Sequence, residues 1–253
     1  MIRGVTFDWW NTIAQTPWRD YDAQMRKVRV ERIAAELAKL GRETDRDALY
    51  AAYDRHTELL ADRWSLGMDL RPEDQVHSFL EFAGFDAANP SLVDAIAHAF
   101  GDAIRTKLPL LHEDIGATLE ALRRRGYRIG LVSNTGRTWG RFLRPIQDDM
   151  GIGRYFDVPV FSDEVGVRKP NPRIFQVALD ALGVRPEETV HIGDDVVADV
   201  DGAKRLGMRA VWFNDGMPAE HAVHSWSETT AARPDAEIHA HAELPQILEA
   251  WRR

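Results

Sequence analysis

The sequence predicts an α/β protein: a parallel β-sheet layered between helices and interrupted, after its first strand, by an all-helical insertion. Three observations lead there. Short apolar, β-branched runs bounded by turn residues recur along the chain, as strands buried on both faces require. From residue 115 onward these runs alternate with helix-period patterns, which implies βαβ crossovers. The stretch 17–110, by contrast, carries helical periodicity and no convincing strand. At 253 residues the chain suits one large domain or one domain with a sizeable insertion.

Val5-Thr6-Phe7 reads as the first strand. In the insertion, Met25, Val28, Ile33 and Leu37 mark a first helix, and Leu49, Tyr53, Leu60 and Trp64 a second. Thr44, with Asp47 three residues on, is the expected capping box of that second helix. Helices near 73–83 and 91–106 follow, and the chain returns through Leu108-Pro109-Leu110-Leu111. Ile115, Leu119 and Leu122 share a helix face that ends at Gly126, and Ile129-Gly130-Leu131-Val132 is the next strand. Val158-Pro159-Val160-Phe161 is a third. Ile174, Phe175, Ala178, Leu179 and Leu182 then form a helix face with Asn171 as cap, Pro172 in the first turn and Gly183 at the end. Thr189-Val190-His191-Ile192 and Ala210-Val211-Trp212-Phe213 are further strands. Residues 214–236 read as an irregular excursion, and a strand at Glu237-Ile238-His239 with a helix over 244–251 closes the chain. The expected division is a core of 1–16 and 111–253 carrying a helical unit of 17–110; one mixed α/β domain is the alternative.

Composition removes several classes of function. A net charge of −8 with no long basic run argues against a nucleic-acid partner. No apolar stretch approaches the ~18 residues that a membrane span needs. The start Met1-Ile2-Arg3-Gly4-Val5-Thr6-Phe7-Asp8 lacks a signal peptide's apolar region, so a cytoplasmic location is expected. The absence of cysteine excludes disulfides, thiolate nucleophiles and cysteine-ligated zinc. Chemistry is left to carboxylates, hydroxyls, amines and imidazoles.

Parallel sheets bind ligands beyond the carboxyl ends of their strands. There the first strand delivers Asp8, followed by Trp9-Trp10-Asn11-Thr12, and the second core strand delivers Ser133-Asn134-Thr135-Gly136. The loop after the third holds Arg168-Lys169-Pro170, and the fourth ends in Gly193-Asp194-Asp195 with Asp199 a helical turn on. Carboxylates at this density repel one another unless a cation neutralises them, and an all-oxygen set suits Mg²⁺. One carboxylate would serve as nucleophile. Lys169 would hold it and offset phosphoryl charge, with Ser133 and nearby N–H groups on the phosphoryl oxygens.

In this order, Phe7-Asp8-x-x-Asn11-Thr12, Ser133-Asn134, Lys169-Pro170 and Gly193-Asp194-Asp195-x-x-x-Asp199 resemble the four motifs of the haloacid dehalogenase-like hydrolases, over nearly the whole chain. The resemblance implies a Rossmann-like three-layer core with a helical cap inserted after the first strand. It also implies Asp8 as nucleophile and metal ligand, and Trp10 as a ligand through its backbone carbonyl. Asp194 would ligate the metal, Asp199 would hold the site directly or through water, and Asp195 would share that duty. Ser133 and Lys169 take catalytic roles, while Trp10, Thr12 and Asn134 line the substrate side.

One departure matters: phosphatases of the family carry a second aspartate where this chain has Trp10, and loss of such an acid-base group costs about 10²–10⁴ in rate. Three readings follow. The first is a Mg²⁺-dependent phosphatase-like hydrolase of a small phosphorylated compound. The second is a carbon–halogen hydrolase, which needs no proton for its leaving group but lacks the acidic fourth motif. The third is a phosphate- or metal-binding protein without turnover. Phosphonate cleavage through a Schiff base would require a reactive cap lysine, and Lys27 and Lys39 read instead as solvated. His221, His224, His239 and His241 offer a second metal site, with histidines on a polar surface or strand face as the alternative. Arg123-Arg124-Arg125 suits a helix C-terminus.

Overall fold

Residues 1–16, 20–216 and 231–251 are described by a computed structural model. The chain opens with β1 (Gly4–Phe7) and the two-residue β2 (Ala14–Gln15). It then runs through α1 (Tyr21–Lys39), α2 (Arg46–Ser65), α3 (Pro72–Phe82) and α4 (Pro90–Gly101) before returning in β3 (Leu110–Leu111). β2 and β3 pair antiparallel, so the four helices hang from a short two-stranded ribbon. There follow α5 (Ile115–Arg124), β4 (Arg128–Ser133), α6 (Gly140–Asp149), β5 (Val158–Phe161), α7 (Ser162–Val165) and α8 (Pro172–Leu182). The last elements are β6 (Thr189–Gly193), a π-helical turn over Val196–Asp201, α9 (Gly202–Arg205), β7 (Arg209–Phe213), β8 (Ala236–Ile238) and α10 (Leu244–Ala250).

Six parallel strands form one sheet in the order β5-β4-β1-β6-β7-β8. β1 lies between β4 and β6, with Phe7 in register with Leu131 on one side and Ile192 on the other. The chain winds outward from β1 in one direction and then in the other, so the order reverses beside β1, where a doubly wound sheet opens its ligand crevice. The Rossmann-like expectation agrees with this topology. Pro159 falls in β5, an edge strand, where a missing N–H costs no ladder bond.

Side chains alternate between two cores. Ile129 and Leu131 of β4 point with Val5, Phe7, Val190 and Ile192 toward Leu119, Leu122 and Leu244 on one face. Val132 points with Ala210 toward Ile174, Phe175 and Leu179 on the other. The helical insertion has its own core of Val30, Ile33, Leu49, Tyr53, Val76, Phe79 and Phe100, into which Trp139, from the loop before α6, inserts. Each large apolar side chain buried in these cores stabilises by about 1.5–3 kcal/mol.

The predicted strands all occur, and Asn171 and Gly183 bound α8 as expected, with Asn171 accepting from Arg173 N and Gly183 left-handed at φ 63°. Other features differ. The cap of α2 is Asp45, whose side chain accepts from Asp47 N at 3.3 Å, and the expected Thr44 has a buried hydroxyl without a partner. Asp45 stands one residue nearer the helix, and its charge suits the helix N-terminus better. The fourth helix ends at Gly101 and continues only as a 3₁₀ turn to Thr106. The β2–β3 ribbon, α6 and α7 have no counterpart in the sequence reading. No helix among the described residues is long and apolar enough to cross a membrane.

Candidate active site

At the carboxyl end of β1 the chain must turn sharply, since Asp8 N still donates to Ile192 O in the sheet while Asn11 N already donates to Ala14 O. Asn11 makes that turn in the left-handed region (φ 55°), which asparagine tolerates better than most residues. Trp9 is buried in the sheet core. Trp10 is half-buried beside it, the two rings edge-to-face at 6.4 Å. The turn leaves the Asp8 carboxylate buried at the crevice.

Lys169 joins the acids. Its Nζ donates to Asp8 Oδ1 at 2.5 Å and to Asp199 Oδ1 at 2.6 Å, all three side chains being buried. Asn134 fixes that lysine from behind. Asn134 Oδ1 accepts from Lys169 N at 2.8 Å, and its Nδ2 donates to Lys169 O at 3.1 Å. Asn134 thus holds the lysine backbone through both its N–H and its carbonyl. Ser133 Oγ is buried at the end of β4 with no partner among the described residues, a hydroxyl available to an incoming oxygen.

The π-helical turn after β6 carries Asp199 back under the strand end. A Cβ on Gly193 would collide with the Asp199 carboxylate, so glycine is required for the approach. Asp199 Oδ1 also accepts from His191 Nε2 at 2.9 Å, and Asp199 Oδ2 accepts from Asp195 N at 3.1 Å. Asp194 lies alongside, its Oδ1 accepting from Thr12 Oγ1 at 3.2 Å and its carbonyl from Trp212 Nε1 at 2.8 Å. Thr12 therefore orients an acid of the cluster.

One oxygen each from Asp8, Asp194 and Asp199 lies within 4.8 Å of the others, a spacing that a cation would span. Asp195 does not join them. Its Oδ1 accepts from Val197 N and Ala198 N and caps the turn.

The electrostatics show how much negative charge is gathered. Burial pushes Asp8 up to about 7, against the opposing pull of Lys169. Asp194 is raised well above the carboxylate range by burial and by Asp8, Asp199 and Asp195. Burial would also raise Asp199, but Lys169 and His191 outweigh it and hold that acid down to about 2. His191 is itself lowered by burial and stays neutral, its Nδ1 accepting from Thr6 Oγ1 at 2.9 Å. One ammonium cannot balance these acids, and the oxygen-only donor set is that of a hard divalent cation.

The helical insertion is fastened to this edge. Asp69 accepts from Arg168 Nη1 at 2.8 Å, from Ser162 Oγ at 2.5 Å and from Trp64 Nε1 at 3.1 Å. Arg168 lies over the Trp64 ring at 4.3 Å and also donates to Thr135 O. Backbone bonds from Asp69 N to Gly166 O and from Arg168 N to Gly67 O close the seam beside Lys169. Sequence reasoning missed Asp69 and His191. Nothing in the pattern marks Asp69, whereas a histidine inside an apolar strand two residues before Gly193-Asp194 is a signal that could have been weighed.

Among the described residues, the remaining candidates are not members of the three-acid cluster. Lys27 and Lys39 are exposed on α1, so neither offers the enclosed amine of a Schiff base. His239 is exposed and His241 buried against Phe213, with Nδ1 3.1 Å from Asp114 Oδ1. His221 and His224 lie outside the described residues. Arg123, in the last turn of α5, pairs with Asp157.

A glyceraldehyde 3-phosphate phosphatase of Pyrococcus furiosus is 36% identical over 65% of this chain and 64% of its own length. A phosphoserine phosphatase of Thermus thermophilus is 38% identical over 46% of this chain and 45% of its own. The chain thus spans less than two thirds of the length of these curated relatives. Among solved structures, a 2-haloacid dehalogenase of Pseudomonas syringae superposes with a TM-score of 0.68 at 25% identity, covering 99% of this chain and 100% of that one. A phosphatase of Thermococcus onnurineus gives 0.60 at 26% identity over 98% of each chain. The family model of haloacid dehalogenase-like hydrolases matches residues 2–207, and to that family this chain belongs.

Proposed function

We propose that the protein is a Mg²⁺-dependent phosphatase of small phosphorylated compounds that works through a phosphoaspartyl intermediate on Asp8. One observation carries the reading: the Asp8 carboxylate sits between an ammonium and two further acids at the carboxyl end of the central strand. The names of the curated relatives support it. Asp8, Asp194 and the Trp10 carbonyl would hold the cation, with Asp199 steadying them. When bound, the cation neutralises the acids and draws charge from the phosphoryl oxygens.

Asp8 attacks phosphorus in line, the ester P–O bond breaks, and the alkoxide leaves with a proton taken up from water. Lys169 holds Asp8 in place and shares the charge of the phosphoryl group. Ser133 Oγ, buried and unpaired, donates to a phosphoryl oxygen. A second water then cleaves the phosphoaspartate, releasing phosphate and restoring Asp8. Trp10 stands where the family's acid-base aspartate is expected, so leaving groups that depart without help are favoured.

The test is phosphate release from p-nitrophenyl phosphate. Mg²⁺-dependent turnover is expected, abolished by a chelator and by Asp8→Asn; turnover that persists in that variant removes Asp8 from the chemistry. Trp10, together with the 2-haloacid dehalogenase neighbour, favours a second reading in which Asp8 displaces halide from carbon. Chloride release from 2-chloropropionate in the presence of chelator would establish it in place of the first.

A further inference from the structure

Two arginines that meet where the helical insertion faces the β4 loop have no carboxylate partner within ion-pair distance among the described residues. Arg29 of α1 is buried, its Nε donating to Phe100 O at 3.3 Å, Nη1 to the Tyr53 hydroxyl at 3.3 Å and Nη2 to Thr138 Oγ1 at 3.2 Å. Arg137 stands four residues beyond Ser133. Its Nη2 donates to Thr57 Oγ1 at 2.7 Å, its Nε points to His56 Nδ1 at 3.5 Å, and its guanidinium lies 4.2 Å from the Tyr53 ring centre. All of these partners are neutral. Asp22 and Asp54 act on Arg137 only at longer range, and Asp54 is already engaged by Arg26 through bonds of 2.9 and 2.7 Å.

Enclosing two cations without a counter-ion is unfavourable. Burial lowers Arg137 from its usual value, and Arg29 adds repulsion. Burial also keeps His56 neutral, so with Nδ1 facing the Arg137 N–H its own proton resides on Nε2, a buried donor with no acceptor. An incoming anion would relieve this imbalance, and the planar guanidinium fork matches carboxylate and phosphate oxygens. Arg137 remains half-buried, so solvent reaches it.

Trp64 links the cluster to the segment that carries Lys169. Trp64, stacked on Arg168 beside Lys169, would also touch a Cβ on Gly136 at 3.8 Å, next to Arg137. From Ser133 to Arg137 the backbone spans at most about 14 Å.

We propose that Arg29 and Arg137 receive a second anionic group of the substrate, which makes the preferred substrates phosphate esters bearing a carboxylate or a second phosphate. This rests on the phosphatase reading of Asp8. His56 is a positioning residue that holds Arg137.

Two matched pairs of esters test it by phosphate release with Mg²⁺: 3-phosphoglycerate against glycerol 3-phosphate, and fructose 1,6-bisphosphate against fructose 6-phosphate. The wild type is expected to favour the more anionic member of one pair at least tenfold in kcat/KM, and the responding pair identifies the group as carboxylate or phosphate. Arg137→Gln is expected to cut that preference at least tenfold, chiefly through KM. No preference in the wild type, or one that survives in both Arg137→Gln and Arg29→Gln, overturns the proposal; thermal melts confirm that each variant is folded.

Binding is read separately in Asp8→Asn by the rise in melting temperature with Mg²⁺ and the same four compounds. If no ester is hydrolysed but an anionic member stabilises Asp8→Asn and fails to stabilise the Asp8→Asn, Arg137→Gln double variant, the anion site stands and the phosphatase reading falls. Hydrolysis without discrimination by charge removes the anion site alone.

Discussion

Asp8 and Lys169 are 161 residues apart in sequence, yet their side chains are in direct contact, and each is intelligible only through the other. Without the ammonium, Asp8 and Asp199 would face one another with less compensation. Lys169→Met is therefore expected to lower phosphate release by about 10²–10³, comparable to losing one oxyanion donor, and steady-state kinetics with p-nitrophenyl phosphate checks it. Trp10 offers a test in the opposite direction. If the missing carboxyl limits alkyl esters, Trp10→Asp should raise their turnover by up to about 10²–10⁴ while changing aryl esters less. An equal change in both classes would show that the indole acts through packing rather than through proton supply. Asp8, Ser133, Lys169, Asp194 and Asp199 were all legible as residues, because each ends or follows a recognisable strand. Their partners were not. Whether Asp195 binds a cation or caps a turn, and whether Asn134 touches substrate or the lysine backbone, depends on rotations that sequence spacing does not fix.

Among the elements, the seam between the helical insertion and the sheet edge rests on a buried ion pair. Removing one member of a buried ion pair leaves the other uncompensated, so Asp69→Ala should destabilise by about 3–5 kcal/mol. Urea unfolding checks this, and Asp69→Ala, Arg168→Met should recover part of the loss.

α6 begins on a different acid. Asp163 accepts from Gly140 N at 3.2 Å and from Thr135 Oγ1 at 2.8 Å, yet burial raises it to about 6. A folded-state value above the ordinary 3.8 means that the native protein holds this proton more tightly than the unfolded chain. Its contribution to stability is therefore full below about pH 4 and is lost as pH rises to about 6, by on the order of 3 kcal/mol. Asp163→Asn should flatten that part of the stability–pH curve relative to wild type. A wild-type slope retained in the variant would place its origin elsewhere. The sequence pattern hides this arrangement, because Pro145 interrupts α6, α7 is a single turn and Asp163 is ordinary in sequence.

For the whole molecule, the crevice at the sheet's switch point and the helices above it form one system. A phosphoryl mimic bound at Asp8 should therefore stabilise the whole fold. Mg²⁺ with beryllium fluoride is expected to raise the melting temperature of the wild type and to leave Asp8→Asn unshifted, since a ligand stabilises only the state that binds it.

Hydrophobic period and turn chemistry are local properties, and they sufficed to read the parallel sheet, the run of helices after β1 and the acids at the strand ends from the order of amino acids. The folded chain alone reveals that Asp199 lies beneath Gly193 through a π-helical turn, that Asp69 and Arg168 pair across the seam, and that Arg29 and Arg137 both reach Tyr53. These follow from close approach between segments far apart in the chain, where burial sets the cost of each charge and no local pattern records which charges will meet.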